Sequence, residues 1–187
     1  NITGATASSY SATATGTYTV VVTAGCGSVT SAGAVVTTLG TTTNSLIPDA
    51  LYAETSNDNA PIELGMKFFS SVNGYITHIR FYKYVYLGNF TVSLWDVATK
   101  TRISTAQVMN STIGWNTVEL PNPVAINANT LYMASYYSAT GDYYQKIKYF
   151  DSTRTSGYLT APAGTATEPN GTYRYGSTGF PDQPKNN

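Results

Sequence analysis

The stretch LGMKFFSSVNGYITHIRFYKY, residues 64–84, decides the fold. It predicts two β-strands joined at Asn73-Gly74, because both residues of a tight hairpin turn need a positive φ and this dipeptide adopts it readily. A two-residue loop would place Val72 opposite Tyr75, Phe68 opposite Ile79 and Met66 opposite Phe81. We therefore expect one apolar, core-facing side and one half-wet side. The core side comprises Leu64, Met66, Phe68, Ile79 and Phe81, and the other side Lys67, Phe69, His78, Arg80 and Tyr82.

One pair in this register is unfavourable. Lys67 would lie directly opposite Arg80, and like charges at opposing positions destabilise a sheet. Either a carboxylate such as Glu63 or Asp96 lies close enough to offset the two charges, or the loop is longer than two residues.

The composition favours an all-β extracellular module. Of 187 residues, 42% are hydrophobic and only 11% are charged, whereas the usual charged share is about 25%. Threonine and tyrosine favour strands, while asparagine and glycine favour the turns between them. Ten basic and ten acidic side chains leave no net charge, which gives no electrostatic basis for binding nucleic acid or an anionic membrane. No apolar run approaches the roughly 20 residues of a membrane-spanning helix, and no signal peptide is recognisable.

Cys26 is the single cysteine, so the chain cannot form an internal disulfide. Two interpretations stay open: a small buried or half-buried side chain, or one half of a disulfide whose partner lies upstream of Asn1. A nucleophilic role is not expected, because the single histidine, His78, lies on another element.

The N-terminal part of the chain has a different sequence pattern from the rest. It reads as two strands, Thr17–Thr23 and Val29–Val36, and so few strands cannot close a sandwich. The stretch SYSATATGTYTVVVT, residues 9–23, with Gly25-Cys26 after it, resembles the back half of the immunoglobulin-like repeats of large bacterial surface proteins. The predicted organisation is a partial repeat over 1–38, a linker over 39–50 and a second domain over 51–187.

The second domain shows period-two strands at short, even spacing. Besides the two strands of the opening stretch, they are expected around Leu51-Tyr52 and over Asn89–Trp95, Ile103–Met109, Asn116–Leu120 and Leu131–Tyr137. Pro121 and Pro123 are expected to end the fourth of these. Strands in this arrangement, with turns between them and no helical period, predict an antiparallel β-sandwich of the jelly-roll or immunoglobulin-like class.

A set of short motifs follows in order through this domain, from about Ala53 to Pro181. They are LGMKF (64–68), GYITHIRFYK (74–83), VSLW (92–95), GWNTV (114–118), PVAI (123–126), LY (131–132), SY (135–136), YF (149–150), GTYRYG (171–176) and GFP (179–181). As a set they resemble a bacterial β-sandwich family, domain of unknown function 4082. Members of that family sit in long secreted or surface-attached proteins, so the resemblance implies an accessory or adhesive module. It brings no catalytic residues.

The family pattern closes on a further hydrophobic strand after Gly-Phe-Pro, whereas this sequence ends at Lys185-Asn186-Asn187. A sandwich without that strand would leave unpaired backbone groups beside an apolar groove. Either the sequence is truncated, or another segment fills the groove, as in strand donation between subunits.

The sequence holds no recognisable catalytic set. A triad needs a histidine beside a nucleophile and a carboxylate, and His78 stands alone on a strand. Glycoside hydrolysis needs two carboxylates about 5–10 Å apart, and none of the ten acids has a telling context. We therefore expect a protein that is not an enzyme.

One polar loop could hold a metal ion. Asn57, Asp58 and Asn59 are candidate ligands, and Asp142 or Asp151 could add oxygen atoms, since calcium takes six to eight of them. The alternative is a solvated, turn-forming loop. No other cofactor is expected.

Tyrosine is unusually frequent, with 16 copies. A tyrosine offers a flat face to a sugar ring and a hydroxyl to its edge, although such residues also pack across sheets. The candidate ligand-binding residues are Tyr82, Tyr84, Tyr86, Tyr136, Tyr143 and Tyr144. Separately, Asp151-Ser152-Thr153 is similar to a short O-glycan acceptor of secreted bacterial proteins, which makes Ser152 a candidate acceptor.

These observations lead to two functional hypotheses. The first is a non-catalytic structural or adhesive module of a large secreted or cell-surface bacterial protein, assembling by strand exchange into an extracellular fibre. The second is a carbohydrate-binding accessory module that uses surface tyrosines. The expected partners are neighbouring domains or copies of the same surface protein, and glycans, with neither nucleic acid nor membrane insertion.

Overall fold

The computed structural model describes residues 2–37, 44–49, 54–84, 88, 90–108 and 112–184. These residues form strands, turns and one short 3₁₀ helix but no α-helix, so the predicted all-β class is confirmed. None of them belongs to a helix long and apolar enough to cross a bilayer. The strands are β1 (Gly16–Tyr18), β2 (Val21–Ala24), β3 (Gly27–Thr30), β4 (Ala34–Val36), β5 (Glu54–Asn57), β6 (Ile62–Ser70), β7 (Gly74–Lys83), β8 (Phe90–Asp96), β9 (Arg102–Gln107), β10 (Gly114–Ile126), β11 (Tyr132–Ser138), β12 (Asp142–Gln145), β13 (Arg154–Ser156), β14 (Leu159–Ala161), β15 (Gly171–Tyr175) and β16 (Gln183–Pro184), and the 3₁₀ helix is Tyr149–Asp151.

The chain divides into two compact units, Asn1–Thr43 and Asn44–Asn187. In the first unit β1 pairs with β4 and β2 with β3, both antiparallel. No side chain in residues 2–37 is buried. Cys26 is exposed in the turn between β2 and β3, so the expectation of a buried or half-buried side chain is wrong. The side chains of β2 and β3 around it are all exposed.

The second unit is built on a large antiparallel sheet in the order β13-β14-β6-β11-β8-β9. Strand β6 is its centre: β11 pairs with one edge, while β14 and β15 share the other. A smaller sheet is formed by β7 and β10. The core cluster draws its side chains from both sheets, including Phe68 of β6, Phe81 of β7 and Leu94 of β8. The predicted antiparallel β-sandwich is therefore confirmed.

The predicted hairpin around Asn73-Gly74 is wrong. Of its predicted core face, Phe68, Ile79 and Phe81 are buried in the core cluster and Met66 packs against it, whereas Leu64 is half-buried and outside that cluster. Strand β6 pairs with β11, β14 and β15, whereas β7 pairs with β10, so the turn carries the chain from one sheet to the other. Neither Asn73 nor Gly74 has the positive φ that a tight hairpin needs. Instead, the Asn73 side chain accepts a hydrogen bond from the backbone N–H of Ala128 at 2.7 Å.

This sheet change also removes the unfavourable charge pair. Lys67 lies in the large sheet, where its ammonium donates to the backbone oxygen of Pro169 at 3.0 Å. Arg80 lies in the small sheet and forms an ion pair with Asp49 at 2.6 Å. The two cations are therefore not cross-strand neighbours, and neither Glu63 nor Asp96 is needed to offset them.

Strand β10 continues through its prolines, so the prediction that they end it is wrong. The strand pairs with β7 up to Glu119 opposite His78 and resumes at Val124 opposite Ile76. Pro121 and Pro123 lie within the register shift between these pairs. Prolines lack the N–H that a regular ladder would use. A bulge thus accommodates the prolines inside one long strand.

Part of the predicted linker packs on the second unit. Leu46 is 8% exposed and belongs to the core cluster. Its backbone oxygen accepts a hydrogen bond from the Tyr149 hydroxyl at 2.8 Å. Residues 39–43 and 50 of that linker, and the strand expected around Leu51-Tyr52, lie outside the described residues.

Candidate functional site

A pocket of about 220 Å³ lies on the second unit, between β6, β7 and the segment 144–150. Buried or half-buried apolar side chains line part of it, among them Leu64, Met66, Ile79 and Phe81. Its volume falls below the roughly 300–1,000 Å³ of sites for drug-sized ligands. The pocket is therefore sized for a small ligand, such as a single sugar ring.

Three aromatic side chains form a row at this pocket. Tyr144 stacks on Tyr82 with ring centroids 4.4 Å apart and planes inclined by 25°. The edge of Trp115 meets Tyr82 at 5.5 Å and 88°. All three are only half-buried, and both geometries are those that aromatic quadrupoles favour. The row presents aromatic surface to the pocket in a fixed arrangement.

An ion pair extends the row. The Arg80 guanidinium lies 4.4 Å from the centroid of the Trp115 ring and donates to Asp49 Oδ1 at 2.6 Å. The Trp115 indole N–H points to the backbone oxygen of Asp49 at 3.4 Å. A guanidinium has five N–H donors in a rigid fork, so Arg80 can hold Asp49 and still donate to a ligand. The pocket thus combines apolar, aromatic and charged groups.

Strand alternation and strand pairing set the positions of these groups. Successive side chains of β7 point to opposite faces, and Ile79 and Phe81 are buried whereas Arg80 and Tyr82 are half-buried. Trp115 is directly opposite Tyr82 in the β7–β10 ladder. Tyr144 arrives from β12, which pairs with β5. Residues from distant parts of the sequence therefore meet at one site.

The structure brings together three of the six predicted tyrosines. Tyr82, Tyr136 and Tyr144 line the pocket. Tyr136 stacks on Phe81 at 5.0 Å, and burial raises the pKa of its hydroxyl well above the ordinary tyrosine value. Tyr86 lies outside the described residues.

Arg80, Asp49 and Trp115 were not among the predicted site residues. The motif GWNTV contained Trp115, but only its register opposite Tyr82 reveals the contact.

The other two tyrosines, Tyr84 and Tyr143, belong to a hydrogen-bond network around Asp58 and Asp142. The Tyr84 hydroxyl donates to the backbone oxygen of Ser56 at 2.6 Å and, at a longer 3.1 Å, to Asp142 Oδ1. Tyr143 donates to Asp58 Oδ1 at 3.2 Å. Tyr175 donates to Asp58 Oδ2 at 2.7 Å. Burial, followed by the bond to Asp142, raises the pKa of Tyr84 to about 12. The pKa of Tyr175 is raised to about 12, and the hydrogen bond to Asp58 is the largest cause.

The same network occupies the predicted metal ligands. Asp142 also accepts hydrogen bonds from Asn57 Nδ2 and Thr140 Oγ1. The side-chain oxygen of Asn57 accepts the backbone N–H of Asn59 at 2.6 Å. A cation would have to displace these donors, and no three His, Cys, Asp or Glu side chains of the described residues are grouped to hold a metal. Calcium binding at Asn57, Asp58 and Asn59 stays a prediction that this geometry does not favour.

Two further sequence candidates lie at the surface. His78 is exposed, and its ring lies 2.9 Å from the Thr77 hydroxyl. Ser152 is exposed directly after the 3₁₀ helix. Its role as an O-glycan acceptor stays a prediction.

Comparison with known proteins identifies the family. The chain matches the family described as domain of unknown function (DUF4082) over residues 47–187, a range that includes every residue lining the pocket. A search of curated proteins finds no match. Because the matched range covers most of the chain, and the β-sandwich agrees with the motif resemblance, this chain belongs to the DUF4082 family.

Proposed function

We propose that the second unit is a non-catalytic carbohydrate-binding module, displayed outside a bacterial cell. The observation that carries the proposal is the row of Tyr144, Tyr82 and Trp115 beside the Arg80–Asp49 ion pair. Aromatic surface packs against the C–H faces of a sugar ring, while charged and hydroxyl groups bind its hydroxyls. One small pocket supplies both kinds of contact.

Binding without catalysis is supported by the placement of the polar groups. Asp58 and Asp142 accept hydrogen bonds from tyrosines, and Asp49 is paired with Arg80. His78 is exposed and does not line the pocket. Of the described residues that line the pocket, Asp49 is the acidic one, whereas glycoside hydrolysis by the usual route needs two carboxylates.

A glycan array tests the proposal, with Trp115 as the reporter. We expect the native chain to bind a subset of glycans and Trp115→Ala to lose that binding. Tyr75→Ala is the matched control: Tyr75 lies on the same strand as Tyr82 but is 51% exposed and outside the pocket. An array on which the native chain binds nothing, or on which Trp115→Ala binds as well as Tyr75→Ala, would contradict the proposal.

The first unit favours a second function, assembly with neighbouring domains or copies of the chain. Val22 and Val29 are direct cross-strand partners, yet they are 65% and 74% exposed, and Val35 is 73% exposed. Neighbouring valines that are this exposed on the β2–β3 hairpin support an interaction surface there. Strand exchange into an extracellular fibre would cover it.

Light scattering of the chain at several concentrations tests this second function. Association through the first unit predicts a mass that rises with concentration and returns to that of a monomer in Val22→Thr/Val29→Thr. Val72→Thr, an exposed valine in the second unit, should leave association unchanged. A native chain that stays monomeric at all concentrations would count against assembly.

A further inference from the structure

We propose that the pocket selects an N-acetylamino sugar, whose acetamido group binds at the Tyr136 hydroxyl. This inference rests on the proposed carbohydrate-binding function and narrows its ligand class. The Tyr136 hydroxyl accepts the backbone N–H of Tyr144 at 3.4 Å. A phenol also has one proton to donate, and no group in the part of the chain that the structure describes accepts it. The fold thus leaves one hydrogen-bond donor unused.

This hydroxyl is withdrawn from bulk water and belongs to the wall of the pocket. Tyr136 lines the pocket, is half-buried and stacks on Phe81 with ring centroids 5.0 Å apart. Burial is the largest cause of the raised pKa of its hydroxyl, so the phenol group itself is desolvated. A desolvated donor without an acceptor is unfavourable. A ligand that offers an acceptor atom at this point would relieve that cost.

The side chains around the phenol are apolar. Leu64 is directly opposite Tyr136 in the β6–β11 ladder, and Met66 lies on the same side of β6 as Leu64. Both are half-buried and line the pocket together with Phe81. A sugar hydroxyl bound to Tyr136 would find no acceptor for its own proton among these three side chains. A group that accepts a hydrogen bond and ends in an apolar atom fits this environment better.

Tyr144 connects the phenol to the aromatic row. Its ring stacks on Tyr82 at 4.4 Å, while its backbone N–H binds the Tyr136 hydroxyl. A sugar ring packed against the row could therefore direct one substituent toward the phenol.

An acetamido group has the chemistry that this position requires. Its carbonyl oxygen would accept the Tyr136 proton, and its methyl group would pack against Leu64 and Met66, where burial of apolar surface is favourable. The amide N–H, next to the ring, would stay toward the open side of the pocket, which Asp49 lines with an exposed carboxylate. A hydroxyl at the same ring position supplies the acceptor without the methyl group, and a 6-deoxy sugar supplies a methyl group without the carbonyl.

Two matched ligand pairs test the proposal. Chitotriose is compared with cellotriose, and the methyl glycoside of N-acetylgalactosamine with that of galactose, so that within each pair acetamido replaces hydroxyl at C2. We expect the native chain to bind at least one acetamido ligand more tightly than its hydroxyl counterpart. Tyr136→Phe keeps the ring and removes the donor. It should weaken binding of that acetamido ligand about tenfold, equivalent to about 1.4 kcal/mol, and leave binding of the hydroxyl counterpart unchanged.

Tyr137→Phe is the matched control, because Tyr137 is the next residue of β11, is also half-buried and lies outside the pocket. If hydroxyl ligands or fucose, a 6-deoxy sugar, bind the native chain as tightly as the acetamido ligands, the selection is overturned while the carbohydrate-binding function stands. If no glycan binds at all, both proposals fail. Native affinity for the acetamido ligand in a folded Tyr136→Phe chain would also overturn the inference. The preference within each pair is measured on the native chain and does not depend on the folding of a variant.

Discussion

The Asn170 side chain pairs with the backbone of Lys67 as a neighbouring strand would. Its Oδ1 accepts the Lys67 N–H at 2.9 Å, and its Nδ2 donates to the Lys67 oxygen at 2.9 Å. The Nδ2 also donates to the oxygen of Pro162 at 2.8 Å. One edge of β6 is shared by β14 and β15, and Lys67 lies between the residues that they pair with. Asn170 thus continues the ladder across this gap.

We expect Asn170→Ala to lower the free energy of unfolding by about 1–3 kcal/mol, because it leaves buried backbone groups without partners. Asn170→Asp should be at least as damaging, since a carboxylate cannot donate to the two backbone oxygens. Denaturant midpoints at constant m-value measure both changes. Asn122→Ala, at an exposed position in β10, should stay within about 0.5 kcal/mol of the native chain. Equal effects at the two positions would refute the role of Asn170.

Phe68 is the side chain of β6 with which we test the packing of the core. It is 4% exposed and lies beside Tyr132, with ring centroids 6.2 Å apart. Phe68→Ala should cost about 3–5 kcal/mol through lost burial and the cavity it leaves. Urea unfolding gives the value, and Tyr75→Ala, at a 51% exposed position, should change stability by about 0.5 kcal/mol or less. A loss below about 1 kcal/mol at Phe68 would contradict its placement in the core.

The tyrosine–aspartate network predicts a loss of stability in alkali. The pKa values of Tyr84 and Tyr175 are about 12 in the folded chain, against the ordinary value of 10.0. Between these values the unfolded chain has lost the phenolic protons that the folded chain retains, so stability falls as pH rises. The contribution is complete below about pH 10 and is lost by about pH 12. Unfolding midpoints across this range measure the decline.

The variant Asp58→Asn should change the pKa of Tyr175 without changing the pKa of Tyr84. It removes the charged acceptor of Tyr175, so the pKa of Tyr175 should fall toward 10.0, whereas Tyr84, bonded to Asp142, should keep its raised value. Ultraviolet titration of tyrosinate formation follows the change. Asp151→Asn, at an exposed position of the 3₁₀ helix, serves as the control. Identical titration curves for native and Asp58→Asn chains would refute the assignment.

The buried carboxylate of Glu63 anchors the segment that follows β15. Glu63 is 0% exposed. One oxygen accepts the Ser135 hydroxyl at 2.6 Å, and the other accepts the Thr178 hydroxyl at 2.6 Å and the Gly179 N–H at 3.2 Å. Glu63→Ala should therefore destabilise the chain by at least about 1.5–3 kcal/mol, the usual size of one hydrogen bond to a charged group.

Trp95 provides a local readout for this variant. Its indole N–H donates to Ser135 Oγ at 2.7 Å, and its ring meets Phe180 edge-on at 5.8 Å. Loosening of the segment around Phe180 should expose Trp95 and shift its fluorescence to the red, measured in a Trp115→Phe background. Glu168→Ala, at an exposed glutamate, should leave both stability and emission unchanged. A stable Glu63→Ala chain with native emission would contradict the anchoring role.

The candidate site shows what residue patterns can and cannot locate. Tyrosine frequency singled out Tyr82 and Tyr144, and the structure stacks the two rings. The same reasoning also selected Tyr84 and Tyr143, whose hydroxyls instead bond to aspartates. Composition indicates aromatic surface, but contact between aromatic residues depends on which strands become neighbours. Arg80 and Asp49 were missed for that reason, since their ion pair joins residues from separate segments.

For the fold, sequence alone determined the all-β class and the identity of the core face. Because side chains alternate along a strand, Phe68 lies on one defined side of β6, and Ile79 and Phe81 share one side of β7. This holds whatever the partner strand is. Tertiary structure decided whether the strands pair edge to edge or face each other from different sheets, because both arrangements bury the same residues. The local preference of Asn73-Gly74 for a tight turn is small compared with the long ladders that β6 forms with β11 and β7 with β10. Those ladders join residues far apart in the chain, and a local pattern does not encode them.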